Sequence, residues 1–193
     1  VFPLMAVGAG SWTMYFPFIG AVKWGIMYPL VLLPLGLLFV SNVVNMLAGT
    51  NGLSTGMSLI ASIGLGVFAL LNSRMEAALI AFSLSGALFA FLLYNWYPAS
   101  ILPGDSLTYL SGAALFSAMV LGDIEKFGVF IFLPWIAEFF LKLRSGFDAH
   151  SWGILQPEGS LKPQHDSIYS LTHIFMRRGF NEEEITISLM VLQ

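Results

Sequence analysis

Residues 27–72 read MYPLVLLPLGLLFVSNVVNMLAGTNGLSTGMSLIASIGLGVFALLN, two apolar runs joined by a short turn rich in Gly and Asn. A membrane-crossing helix needs about 20 mostly apolar residues. The runs at 27–47 and 53–72 have that length, so the stretch predicts two transmembrane helices with polar groups gathered at their junction. Asn42 and Asn45 are three residues apart and share one helix face near its end. Gly49, Asn51, Gly52 and Gly56 then form a tight turn that opens the next helix. Glycine lets backbone N–H groups approach a ligand closely, and a helix N-terminus favours anions. An ordinary Gly-rich turn, with the asparagines as helix caps, explains the same residues without any ligand.

Working outward, three more runs qualify as spans, at 75–95, 107–122 and 128–143. Residues 1–9 read as the end of an earlier span and 184–193 as the start of a later one. The expected fold class is therefore all-α: a polytopic transmembrane helical bundle, one integral-membrane domain over 1–193, truncated at both ends. Residues 10–25, rich in Gly, Trp and Pro, read as a loop or short hairpin at the interface, where Trp12 and Trp24 suit the headgroup region. Composition agrees. The chain is 57% hydrophobic and 10% charged, with a mean hydropathy of +0.81, whereas soluble domains carry about a quarter charged residues. Without cysteine there is neither a disulfide framework nor a thiolate metal site. A net charge of -3 excludes a strongly basic nucleic-acid footprint, so no nucleic-acid partner is expected.

Helix parity sorts the connecting segments. If each of the five spans crosses once, 48–52, 96–106 and 144–183 share one face, and 10–26, 73–74 and 123–127 share the other. The first face holds Lys142, Arg144, Lys162, Arg177 and Arg178, and the second Lys23, Arg74 and Lys126. The positive-inside rule makes the first face cytoplasmic.

A second motif, Asn95-Trp-Tyr-Pro98-Ala-Ser-Ile-Leu-Pro-Gly104-Asp105-Ser106, falls on that same face. Pro98 and Pro103 stop the preceding helix. Asp105 then sits at the mouth of the next, either as an N-cap carboxylate or as a ligand for a hard cation. Mg²⁺ takes oxygen ligands and is usually held by one or two carboxylates plus substrate phosphates. Asp105 and the Asn45 amide oxygen supply such ligands if the two helix ends meet. The polar stretch 144–183 holds all three histidines, His150, His165 and His173, with Arg177 and Arg178 four and five residues beyond His173. Cations there clamp a diphosphate by charge-assisted hydrogen bonds, or they form a juxtamembrane basic segment facing anionic lipid. Glu182, Glu183 and Glu184 read as the acidic first turn of a final helix capped by Asn181, with no chemistry assigned. Glu76 and Glu138 lie at or inside spans, near helix ends.

Taken together, NVVNMLAGTNGLSTG, NWYPASILPGDS and SLTHIFMRRGFNEEE resemble the polyprenyl-phosphate sugar-1-phosphate transferases. That family includes the eukaryotic and archaeal N-acetylglucosamine-1-phosphate transferases and the bacterial phospho-MurNAc-pentapeptide translocase. The form LAGTNGL, with Ala48 and Asn51, resembles the eukaryotic and archaeal branch; bacterial members more often carry aspartates at those places. In the third string only His173 matches a histidine of the bacterial His-rich motif, with Thr172 and Ile174 replacing its neighbours. Three features depart from the pattern. The family's acidic pair, on a loop before this chain starts, is absent. Leu102 stands where an aromatic usually stacks on uracil. The basic cluster is matched only loosely, with His150 its best candidate.

The resemblance implies a fold of about ten helices, five complete and two partial in this chain. It also implies attack of a polyprenyl or dolichyl phosphate on the β-phosphate of a UDP-sugar, giving a lipid-diphospho-sugar and UMP, and resemblance to the eukaryotic and archaeal branch favours N-acetylglucosamine as the sugar. By that resemblance Asp105 and Asn45 hold Mg²⁺, with Mn²⁺ as an alternative. Gly49, Asn51, Gly52 and Leu102 bind the uridine end, and Asn42 is a further substrate-binding candidate. His173, Arg177, Arg178 and His150 bind the sugar and phosphates, and Asp105 and His173 are the catalytic candidates. The site would face the cytoplasm, in the plasma membrane of an archaeon or bacterium or the ER membrane of a eukaryote, and a homodimer is compatible with the family. A bacterial-type transferase acting on another UDP-sugar is the alternative enzyme. The alternative of another class is a transporter, whose broken helices place polar groups near the bilayer midplane rather than at helix ends.

Overall fold

A computed structural model of the chain describes residues 13–16 and 20–193, with side chains from residue 20 onward. The expected span remnant at 1–9 and the interfacial Trp12 lie outside the described residues. An antiparallel hairpin, β1 (Thr13–Phe16) with β2 (Gly20–Lys23), pairs Thr13 with Lys23 and Phe16 with Gly20. It answers the short hairpin expected there.

Helix α1 covers Tyr28–Met46. Its first turns, Tyr28–Leu32, are wound as a π-helix. Pro29 falls in this stretch and Pro34 just after it, and each lacks an N–H to close an ordinary helical turn. Helices α2 (Leu53–Leu71), α3 (Met75–Asn95) and α4 (Gly104–Leu121) follow. Among the described residues, α1, α2 and α3 are long and apolar enough to cross a membrane. Helix α2 is central, packing on α3, α4 and the last helix. The α2–α3 seam is built from small and hydroxyl-bearing side chains. Ala78, Ala81, Ser85 and Leu88 are buried at alternating three- and four-residue steps, Ser62 and Ser85 share a hydrogen bond of 2.8 Å, and Thr55 donates to Asn95 Oδ1 at 2.7 Å. Small residues and interhelical hydrogen bonds hold helices together where lipid removes the hydrophobic drive. The opposite side of α3 exposes Leu79, Phe89 and Leu93. Such a surface is unfavourable in water and ordinary against hydrocarbon.

The span expected over 128–143 differs from the structure. It starts earlier and is divided at Phe132 into α5 (Glu125–Ile131) and α6 (Leu133–Leu143). Pro134 is the physical reason. It sits in the first turn of α6, where its ring excludes the carbonyl of residue 130 from a continuous helix and its nitrogen has no proton to donate. The polar stretch 144–183 adds a short hairpin, β3 (Gly153–Leu155) with β4 (Leu161–Pro163), to the predominantly helical fold. Its turn is closed by Gln156 N–H on Ser160 O at 2.9 Å, with Gly159 at φ +89°. Two short helices complete the chain. Helix α7 (Leu171–Met176) is N-capped by Ser170, and α8 (Glu182–Leu192) opens on a capping box between Asn181 and Glu184, as its sequence predicts.

The connections gather into the two groups that parity gives. At one end Arg74 pairs with Asp123 at 3.8 Å. At the other, Ser151 Oγ lies 3.0 Å from Met46 O, Asn51 N–H reaches Glu182, and Trp96 Nε1 reaches Glu183.

Candidate active site

Two adjoining clefts occupy this second end. The larger, about 390 Å³, lies between the end of α1, the start of α2, the start of α4 and the first turn of α8. Asn45, Gly49, Asn51, Leu102, Asp105 and Glu182 are among the residues lining it. The smaller, about 280 Å³, shares Asn45 and Ala48 with the first and adds Lys142, His150 and Trp152. Thus the two strongest motifs, separated by about a third of the chain in sequence, meet in one place.

The local backbone explains how the turn reaches the cleft. Gly52 is the N-cap of α2 at φ +76°, a left-handed conformation that L side chains rarely adopt. A Cβ on Gly49 would collide with the Ser151 backbone carbonyl. Gly49 therefore lets the 149–152 segment close down on the turn, a packing role the sequence does not reveal.

Asp105 is not the helix cap. Pro103 holds the N-cap position of α4, no side-chain capping bond is made, and Asp105 falls in the first turn. Its carboxylate is exposed and makes no hydrogen bond or ion pair among the described residues. Asn45 is held more firmly. Its Oδ1 accepts from Thr108 Oγ1 at 2.8 Å and its Nδ2 donates to Tyr109 Oη at 3.4 Å, which brings α1 and α4 together beside Asp105. An amide oxygen keeps a second lone pair after accepting one bond. Asn51 uses its backbone groups for hydrogen bonds, and its side chain makes none. Leu102 lines the cleft and is 70% exposed.

Other candidates lie elsewhere. Asn42 is exposed and donates to Leu38 O of its own helix at 2.7 Å; it lines neither cleft. Arg177 and Arg178 are exposed at the end of α7, also outside both clefts. His173 is fully buried. Its Nδ1 accepts from Tyr169 N–H at 3.3 Å, and Nε2 lies 2.9 Å from His150 O, which makes Nε2–H the donor. Burial is the main cause that lowers its pKa, so the ring is held neutral. His150 faces the smaller cleft, its ring stacked on Trp152 with centroids 4.0 Å apart.

Beside His173 lies a second polar group around Glu138, a residue the sequence marks as an ionisable group near a span's end without giving it a role. Glu138 on α6 is fully buried, accepts from Leu171 N–H at 2.7 Å, and pairs with Lys142 at 3.8 Å. Lys142 Nζ donates to Ala149 O, and Thr172 Oγ1 donates to Ser151 O. These bonds hold the 149–152 segment against α6 and α7. Glu182 is the other residue missed: its place in an acidic first turn suggests only a helix-dipole role, and nothing local shows that it faces Asn51.

No group of three His, Cys, Asp or Glu side chains forms a ready metal cage among the described residues. The cleft nevertheless suits a hard cation that shares its coordination with a phosphorylated ligand. Asp105 offers a carboxylate without a partner, and Asn45 an oxygen beside it. The lining carries two carboxylates and no cationic side chain.

The fold and cleft define an integral-membrane helical protein with a polar site built where helices end, not at mid-span as in the transporter reading. The profile of Glycosyl transferase family 4 matches residues 1–123, and the chain belongs to that family. It is 36% identical over 190 residues to a Saccharolobus solfataricus protein provisionally named UDP-N-acetylglucosamine–dolichyl-phosphate N-acetylglucosaminephosphotransferase, covering 97% of this chain and 59% of that one. A Sulfolobus acidocaldarius protein with the same provisional name is 35% identical over 192 residues, covering 96% of this chain and 57% of its own. The Schizosaccharomyces pombe enzyme of that name is 30% identical over 117 residues, 55% of this chain and 26% of the enzyme. The chain thus spans somewhat under three-fifths of the two archaeal relatives.

Proposed function

We propose that the full-length protein transfers N-acetylglucosamine-1-phosphate from its UDP-sugar to a dolichyl or related polyprenyl phosphate, releasing UMP. In this reading it is a polytopic bundle of about ten helices with the cleft facing the cytoplasm. The family and the names of the archaeal relatives support the reaction class and the sugar. The observation that carries the reading is the larger cleft itself: Asp105, Asn45 and Asn51 converge at helix ends, and Asp105 is left without a partner.

Charge makes the argument specific. A diphosphate entering a cleft lined by Asp105 and Glu182, with no lysine, arginine or histidine, would meet like charge. Mg²⁺, with Mn²⁺ as a substitute, would supply the positive charge that offsets the diphosphate and the leaving UMP. Asp105 and Asn45 would hold it. Asn51 offers a free amide to the uracil edge, and Leu102 an apolar wall beside it. His150 and Trp152, next door across Asn45, face the sugar. His173 positions His150 through its backbone carbonyl. Arg177 and Arg178, exposed outside the clefts, raise the local concentration of anionic substrate at this face.

The test is UMP release by the full-length protein from UDP-N-acetylglucosamine, with dolichyl phosphate and Mg²⁺. Release that requires all three components supports the reading. Equal release without the lipid phosphate, or with EDTA present, contradicts it.

A further inference from the structure

The last helix holds the Asn-rich turn by its backbone. Asn51 N–H donates to Glu182 Oε1 at 2.7 Å, and Asn51 C=O accepts from Thr186 Oγ1 at 2.9 Å. Glu182 and Thr186 are four residues apart, on one face of α8. Thr186 Oγ1 also lies 2.8 Å from Thr50 Oγ1. The next residue, Glu183, accepts from Trp96 Nε1 at 3.0 Å. Trp96 in turn lies over Gly52, where a Cβ would stand 3.2 Å from its ring.

Both peptide groups of a single turn residue are thus fixed from a distant helix, while its side chain stays free over the cleft. A residue in an irregular turn has two soft backbone dihedrals. Fixing its N–H and C=O removes most of that freedom and sets the direction of the side chain. Acidic residues in a helix's first turn need only the helix dipole to account for them. Neither that nor the Asn181–Glu184 capping box explains a 2.7 Å bond to another element.

We infer that Glu182, with Thr186, is a positioning clip that fixes the Asn51 backbone so that its side chain is set for the pyrimidine nucleoside. The inference rests on the nucleotide reading of the cleft and adds the last helix to it. It assigns Glu182 to nucleotide affinity, acting through Asn51, and not to metal binding or to the chemical step. Preorganisation of this kind improves binding by removing the ordering cost from the encounter.

The experiment compares full-length wild type with Glu182→Ala, Glu182→Gln and Thr186→Val. Glu182→Ala should raise KM for the UDP-sugar about tenfold, the scale of one lost charge-assisted hydrogen bond, with kcat changed far less. Glu182→Gln should recover most of the affinity, because its amide oxygen still accepts the Asn51 N–H. Thr186→Val should shift KM in the same direction as Glu182→Ala. The Mg²⁺ requirement should stay the same in all three. Hydrogen exchange at the Asn51 amide supplies an arm that needs no turnover: slow in wild type, faster in Glu182→Ala, restored in Glu182→Gln. Unchanged exchange and KM in Glu182→Ala overturn the clip. A Glu182→Gln variant as impaired as Glu182→Ala, with a raised Mg²⁺ requirement, replaces it with a metal-ligand role. If wild type releases no UMP, the transferase reading fails while the exchange arm still decides the clip.

Discussion

The Asp105 cleft and the His173 network sit at the same end of the molecule, and each includes residues of the family motifs: Asn45, Asn51 and Asp105 in the cleft, Thr172 and His173 in the network. They differ in what their polar groups do. In the network, Glu138, Lys142, Ser151, Thr172 and His173 are all buried, and each is hydrogen-bonded within the protein. In the cleft, the Asp105 carboxylate and the Asn51 side chain have no partner among the described residues and line open space. A buried polar group left unsatisfied costs about 1–3 kcal/mol, so the network is what keeps the 149–152 segment closed on the Gly49 turn. An exposed carboxylate left free adds little to stability and is available to a ligand. Motif residues therefore divide into those bonded within the wall and those left free for a ligand.

The largest effect expected from this division is at Asp105. In the full-length protein, Asp105→Asn should lower kcat by orders of magnitude and leave the unfolding midpoint unchanged. Near-normal turnover would mean that the free carboxylate is idle.

His173 should behave in the opposite way, through stability. Its folded pKa is lowered by burial from an ordinary value of about 6.5. The unfolded chain therefore binds the proton more readily, and stability falls as pH drops from about 6.5 towards the lowered value, with no such dependence above it. Thermal unfolding in detergent should show this loss in wild type and less of it in His173→Gln. A parallel pH dependence in both would remove His173 from the account.

Smaller changes belong to the cleft's rim. Leu102→Phe should lower KM for the UDP-sugar a few-fold by stacking on uracil, an effect of about 1 kcal/mol; unchanged nucleotide affinity would make Leu102 a packing residue. Smallest of all, Arg177→Ala with Arg178→Ala should reduce kcat/KM modestly at low salt and hardly at all at high salt, since exposed charges are screened. A salt-independent loss would put the arginines in direct contact with substrate.

The sequence makes one of these regions far more legible than the other. Apolar run length places α1, α2 and α3 within a residue or two, and the Asn181 capping box marks α8 because its signals are local. The meeting of Asn45 with Asp105 is legible through the family resemblance, and the structure supplies its mechanism in Thr108 and Tyr109. The break at Phe132 has a visible cause in Pro134, but run length alone cannot tell a kinked span from a straight one. Hairpin β3–β4 is hidden because three-residue strands in a polar stretch carry almost no periodic signal. Glu138 and Glu182 are illegible for a deeper reason. Each has an innocent local explanation, and its real partner, Leu171 or Asn51, is distant in sequence. His173 shows the converse: a matching histidine in a motif region reads as a substrate ligand until its two nitrogens are seen bonded to backbone.

Mn²⁺ binding to the full-length protein in the presence of UDP, followed by electron paramagnetic resonance, compares the two regions without requiring turnover. The account predicts that Asp105→Asn greatly weakens binding while His173→Gln binds as wild type does at neutral pH. Undiminished Mn²⁺ binding by Asp105→Asn, with loss in His173→Gln, would contradict it.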